Sequence, residues 1–241
     1  FADPTAPVSV DLSLLAAAEP PAVPAELAHG HFGSRVFYDV TADGVMHIYG
    51  AGAIPDQSEN ELIATGYYAV RDRITRVVID PDVTSVGAYL FKDMFALTSV
   101  SLPSTITKIG THAFEGCTSL SDVRIPYGVT SVGAYAFADC ISLTDITVPS
   151  TVGASAGAGA FSGCTGLRSA AFLGTVMQSR MFENCENLET ILLSGSLRRI
   201  ADMAFYNCPA LREVRYTGTA ATAAEISIGA AGNCALPGSA R

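Results

Sequence analysis

Phenylalanine returns along this chain at Phe91, Phe114, Phe137, Phe161, Phe182 and Phe205, at intervals of 23, 23, 24, 21 and 23 residues. A fixed period of this length marks a repeat architecture, and it limits the possible folds more than any other feature of the sequence. Three residues after each Phe comes Met94, Cys117, Cys140, Cys164, Cys185 or Cys208. Three further on stands Leu97, Leu120, Leu143, Leu167, Leu188 or Leu211. The frame continues through Val100, Val123, Ile146, Ala170, Ile191 and Val214, then through Leu102, Ile125, Val148, Phe172, Leu193 and Tyr216. A half-unit at Ile74, Val77 and Ile79 opens the array.

Each unit reads as one coil. The segment Leu120-Ser-Asp-Val-Arg-Ile125 alternates at its end, which places Val123 and Ile125 on one face of a strand. Pro103, Pro126 and Pro149 close three of these strands, because proline lacks the N–H that would extend the ladder. Ile106/Ile109, Val129/Val132 and Leu197/Ile200 supply a second apolar pair on the return limb. Gly110 and Gly133 permit the turn into the A-F-x-x-C corner. A single coil cannot bury these side chains, whereas stacked coils bury them in columns. Fully burying a Phe contributes roughly 1.5–3 kcal/mol, so six stacked rings contribute on the order of 10 kcal/mol before entropy. The period therefore predicts a leucine-rich-repeat solenoid of the α/β class, with a parallel β-sheet in a right-handed superhelix and an N-terminal β-hairpin cap.

The repeated cysteines have two readings. As a disulfide set they suffer from stacking, since side chains in one column point the same way. As buried free thiols they fit the repeat, and this reading is preferred. No C-x-x-C occurs and no histidine falls in the column, so no metal is expected there. Composition removes further classes: with 49% hydrophobic and 15% charged residues the chain has the apolar surface needed to fold. A net charge of −9 without a Lys/Arg cluster argues against nucleic acid as a partner. No apolar run approaches a transmembrane span. The chain also opens without the basic stretch and apolar core of a secretory signal; if the protein is exported, its mature portion or a trimmed piece of it is the expected form.

Four segments are expected. Residues 1–34 are Pro/Ala-rich (Pro4, Pro7, Pro20, Pro21, Pro24; Ala16–Ala18) and read as an extended lead with one short helical stretch. Residues 35–73 form the cap, a hairpin of 35–40 and 45–50 turning at Asp43-Gly44. Residues 74–216 carry the repeats, and 217–241 form a C-terminal cap with a helical turn near Ala220–Glu225. Cys234 lies outside the repeat frame and belongs to that cap. Between 150 and 180 the repeat is degraded: Ser155 stands where a hydrophobe is expected, and the next unit is two residues short. A local irregularity or bend is expected there.

The unit A-F-x-G-C-x-x-L-x-x-V-x-I-P-x-x-V-x-x-I-G, clearest from Ala113 to Gly133, resembles the BspA-like leucine-rich repeats of bacterial surface proteins. Asp43-Gly-Val-Met-His-Ile-Tyr-Gly-Ala-Gly-Ala-Ile-Pro-Asp56 resembles the segment that often precedes such repeats. Thr217-Gly-Thr219, Ile226-Ser-Ile-Gly229 and Gly232-Asn233 resemble their terminal unit, although its usual Trp is missing near Ala223. The resemblance implies an extracellular or surface-anchored protein, adhesin-like in role, with a protein or glycan ligand on a host or neighbouring cell.

Catalytic chemistry finds no support. His29 and His31 lack a third ligand, His112 reads as a surface position, and Gly153–Gly157 lacks the lysine of a phosphate loop. Asp122 and Asp145 read as solvated strand positions. No enzyme activity and no cofactor are expected. Residues alternating with the core on the strands face solvent, and these make the candidate binding face: Arg76, Ser99, Ser101, Asp122, Arg124, Asp145, Thr147, Thr190, Glu213 and Arg215. That row contains no aromatic residue, and its charges could pair across coils instead of binding anything. The expected function is a binding module; the alternative is a structural spacer within a larger envelope protein.

Overall fold

The computed structural model describes residues 26–233. The prolines and alanines of the lead (Pro4 to Pro24, Ala16–Ala18) and Cys234 lie outside them.

From Ile74 onward the chain winds as a parallel β-solenoid of about six turns. Its front line of strands is Arg76–Ile79, Ser99–Ser101, Asp122–Val123, Asp145–Val148, Ser169–Phe172, Thr190–Leu193 and Glu213–Tyr216. The back line is Val83–Val86, Lys108–Ile109, Ser131–Val132, Val176–Met177, Arg199–Ile200 and Ser227–Ile228. Equivalent core positions stack rung on rung, as Val77 on Val100 on Val123, and Ile146 on Ala170 on Ile191 on Val214. Helical content is low. The α-helices described are Glu59–Ile63 and Ala220–Ala224, with short 3-10 turns at Gly66–Arg73 and Ser150–Val152. Each return limb holds too few residues for an isolated helix to be stable, and bonding to the next coil satisfies its backbone instead.

The six phenylalanines are fully buried and form a continuous ring stack, with centroids 5.1, 5.0, 5.4, 5.5 and 5.9 Å apart along the series. Each is bracketed by two residues with left-handed backbone. After the ring these are Asp93, Gly116, Asp139, Gly163, Asn184 and Asn207, residue types that tolerate positive φ. Before it stand Tyr89, His112, Tyr135, Gly159, Arg180 and Met203. Bulky residues adopt this conformation only when their surroundings hold them. Here an amide bond to the next coil does so, as from His112 to the Ala134 carbonyl at 2.9 Å.

The degraded coil keeps the stack by adjusting its turns. Ala156, not Ser155, takes the place of the hydrophobe and bridges to Val132, and the extra residue is absorbed in a turn at Gly153. One coil on, the shortened limb lacks a counterpart of Val129 and Val152. The Phe172 ring fills that space, and its tip lies where a side chain on Gly174 would otherwise stand.

At the N-terminal end, β1 (Glu26–Phe32), β2 (Val36–Thr41) and β3 (Val45–Gly50) form an antiparallel meander. Strand β1 falls within the stretch read from sequence as an extended lead; Phe32 anchors it against Tyr38, with ring centroids 4.9 Å apart. The hairpin β2–β3 is joined to the solenoid, since β3 pairs in parallel with Arg76–Ile79 and stacks Met46 on Val77 and Ile48 on Ile79. At the other end Asn233 replaces a further coil: its Oδ1 accepts from the Phe205 amide at 3.3 Å, as the Ala204 carbonyl accepts from Phe182 at 2.9 Å.

Candidate binding face

All ten residues singled out from the sequence lie on the solvent side of the front strands. Arg76, Ser99 and Asp122 occupy one row across three strands. Asp145, Thr190 and Glu213 occupy another, through Ser169, while Thr147 and Arg215 share a row with Ala171 and Leu192. The face is not one continuous sheet. Among the described residues no ladder joins Asp122–Val123 to Asp145–Val148, so the front strands divide there into two sheets. The corner stays intact at that level, with the Phe114 amide bonded to the Ala136 carbonyl at 2.8 Å.

Three shallow depressions follow from this layout. One of about 450 Å³ is lined by Arg76, Ser99, Ser101, Asp122 and Arg124, where the small serines leave the floor low. A second, about 420 Å³, lies over the break between the sheets and is lined by Arg124, Tyr127, Asp145 and Thr147. The third, about 270 Å³, includes Asp145, Thr147, Thr190 and Arg215. Glu213 and Arg215 pair with each other at 2.7 Å, which holds the guanidinium in its charged form. Arg76, Asp122 and Arg124 make no ion pair among the described residues. Their charges are open to a ligand.

The aromatic groups missing from this row come from the cap. Inward Val36, Tyr38 and Val40 alternate along β2 with outward Phe37 and Asp39, and inward Met46 and Ile48 along β3 with outward His47 and Tyr49. Phe37 pairs with Tyr49 across the hairpin, their ring centroids 5.9 Å apart. Because β3 continues into the front sheet, these rings share the face with Arg76 and Ser99. Strand parity was visible in the sequence; the parallel docking of β3 was not. His47 Nε2 sits 2.9 Å from Asp80 Oδ1, tying the hairpin to the first coil.

His112 corrects the sequence reading. It is half-buried in the corner, stacked between Tyr89 at 4.9 Å and Tyr135 at 5.3 Å, with Nδ1 2.6 Å from Glu115. All three residues of this ring stack have left-handed backbone. Five repeat cysteines are free and buried, and burial drives their thiols up, that of Cys164 to about 12. They stay protonated and unreactive at neutral pH. No group of three His, Cys, Asp or Glu suited to a metal occurs among the described residues. No helix among them is long and apolar enough to cross a membrane.

The repeats themselves decide the family, since residues 84–212 match the model of the BspA type leucine rich repeat region in six copies. The chain belongs to the BspA-type leucine-rich-repeat family. Among solved structures it is similar to the leucine rich repeat protein of T. pallidum, at 25% identity and TM-score 0.58, over 83% of this chain and 87% of that one. It also shares its fold with the pneumococcal vaccine antigen PcpA, at 16% identity and TM-score 0.52, over 78% of this chain and 46% of that one. No curated protein sequence matches. Along this chain's own BspA-type repeats the outward residues of the front strands change from coil to coil, as Arg76, Ser99, Asp122, Asp145 and Thr190 do.

Proposed function

We propose that this protein is a non-catalytic binding module of the cell surface or exterior, which holds a protein or glycan ligand on its front face. One observation carries the reading: Arg76, Asp122 and Arg124 line a shallow depression with their charges unpaired among the described residues. A purely structural strand face would pair such charges across adjacent coils, where they gain a few tenths of a kcal/mol each. Membership of the BspA-type family and the surface roles implied by that resemblance support the same conclusion.

Binding of the full chain to immobilised host matrix proteins and to intact bacterial cells, measured by surface plasmon resonance and by cell pull-down, tests this. Arg124→Glu should weaken any interaction found by about tenfold, the change that a lost charge-assisted contact produces. Should neither Arg124→Glu nor Arg76→Glu weaken it, the front face is not the site.

A further inference from the structure

We propose that the cap hairpin and the first three coils form one site for a neutral, linear oligosaccharide, laid across the strands from the Phe37–Tyr49 ring pair to Arg124. The proposal rests on the front face being the binding surface and names the ligand class.

The rings come first. Phe37 and Tyr49 are 41% and 38% exposed and stack on each other with ring planes 28° apart, so the pair offers apolar ring surface to solvent. Isolated exposed aromatics are ordinary, but two neighbouring rings on a strand pair make a rigid shelf with few rotatable bonds to immobilise. A pyranose ring has the matching shape, with an apolar C–H face and a rim of hydroxyls.

The rim would then meet polar groups at regular steps. Beyond β3 lie Arg76 on the first coil, Ser99 and Ser101 on the second, and Asp122 and Arg124 on the third. Three strand spacings and two residues along the strand separate Tyr49 from Arg124, roughly 16 Å in all, which is about three sugar units end to end. The two serines keep the floor low along this path, giving the depression of about 450 Å³.

Charge selects a neutral ligand. Arg76 and Arg124 alternate with Asp122, and Asp80 stands beside His47, so a polyanion or a polycation would meet repulsion along the track. Hydroxyls both donate and accept, and can use guanidinium and carboxylate groups alike. A protein partner would favour a desolvated apolar centre ringed by polar groups. Here the order is reversed, with the rings at one end and a polar floor beside them.

Isothermal titration of the full chain with cellotriose, maltotriose, mannotriose and N,N′,N″-triacetylchitotriose provides the test, with a trigalacturonate as the charged comparison. At least one neutral trisaccharide should bind, and Tyr49→Ala should weaken it by about tenfold or more. Phe37→Leu serves as a second, milder change in the shelf, and thermal melts show whether both variants fold. Arg199→Gln, exposed on the back line of strands, should leave the sugar affinity unchanged. The inference is overturned if no neutral trisaccharide binds at about 10 mM, if trigalacturonate binds better, or if binding survives loss of Tyr49. A matrix protein that binds through Arg124 while no sugar does would overturn the sugar inference and leave the front face standing.

Discussion

The thiol of Cys140 donates a hydrogen bond to the main-chain carbonyl of Phe114, one coil earlier, at 3.2 Å. The same bond runs from Cys117 to Phe91, Cys164 to Phe137, Cys185 to Phe161 and Cys208 to Phe182, at 3.0 to 3.2 Å. Each of these five Phe residues is therefore tied to the following coil twice, by its own amide and through its carbonyl. Cysteine here is a small hydrophobe that also carries a donor, which alanine or valine could not supply.

Removing one of these links should be measurable. Cys140→Ala loses buried volume and a donor together, and should cost about 1–3 kcal/mol in urea unfolding. A cost of only a few tenths would reduce the thiol to a filler. In a Cys234→Ser background, the five buried thiols should resist a thiol reagent at pH 7 and all react after unfolding.

Phe137 lies at the middle of the ring stack, with neighbours at 5.0 and 5.4 Å, and is fully buried. Phe137→Ala should cost about 3–5 kcal/mol, while Ser99→Ala on the front face should change stability by less than about 0.5 kcal/mol. Equal melting of the two variants would put the core elsewhere.

Phe172 replaces the aliphatic residue found at Val148 and Leu193, and its ring fills the gap left by the shortened limb. Phe172→Leu, a return to the usual repeat residue, should therefore destabilise by about 1–2 kcal/mol through the cavity it opens. The opposite outcome, a gain in stability from the consensus-like residue, would show that the limb closes up unaided.

Asp139 holds a left-handed position where partial desolvation raises its carboxyl pKa, with the charges of Glu115 and Asp93 adding to the effect. An acid whose folded pKa lies above its unfolded value favours the fold when protonated, so this contribution is present below the unfolded pKa and is lost as pH rises through the folded one. Asp139→Asn keeps a side chain suited to positive φ and removes the ionisation. It should raise Tm by about one or two degrees at pH 7 and leave it unchanged below about pH 3.5. A uniform shift at both pH values would point to packing instead of charge.

Much of the fold was legible because a repeat states the same instruction several times. Leu120, Val123 and Ile125 read as inward in one unit, and their counterparts in the other units agreed. The outward set was legible by parity for the same reason. That the return limbs are strand and turn with little helix was not stated by the period, and the Ala156 shift at the degraded coil could not be told from Ser155 by spacing alone. Tyr89, His112 and Tyr135 fall at one repeat position, but their ring stack was not legible, because it depends on a backbone conformation that their residue types do not announce.

By itself the sequence determined the period, the side chains that fill each column and the thiols that sit among them, since these depend only on local parity and burial. The tertiary structure alone decided that β3 stacks in parallel on the first coil, that the front strands part between Asp122 and Asp145, and that Phe37 and Tyr49 join the face of Arg76. Parity tells which way a side chain points from its own strand. It does not tell which strand lies alongside, because that is chosen by core contacts between residues some thirty positions apart, such as Met46 with Val77.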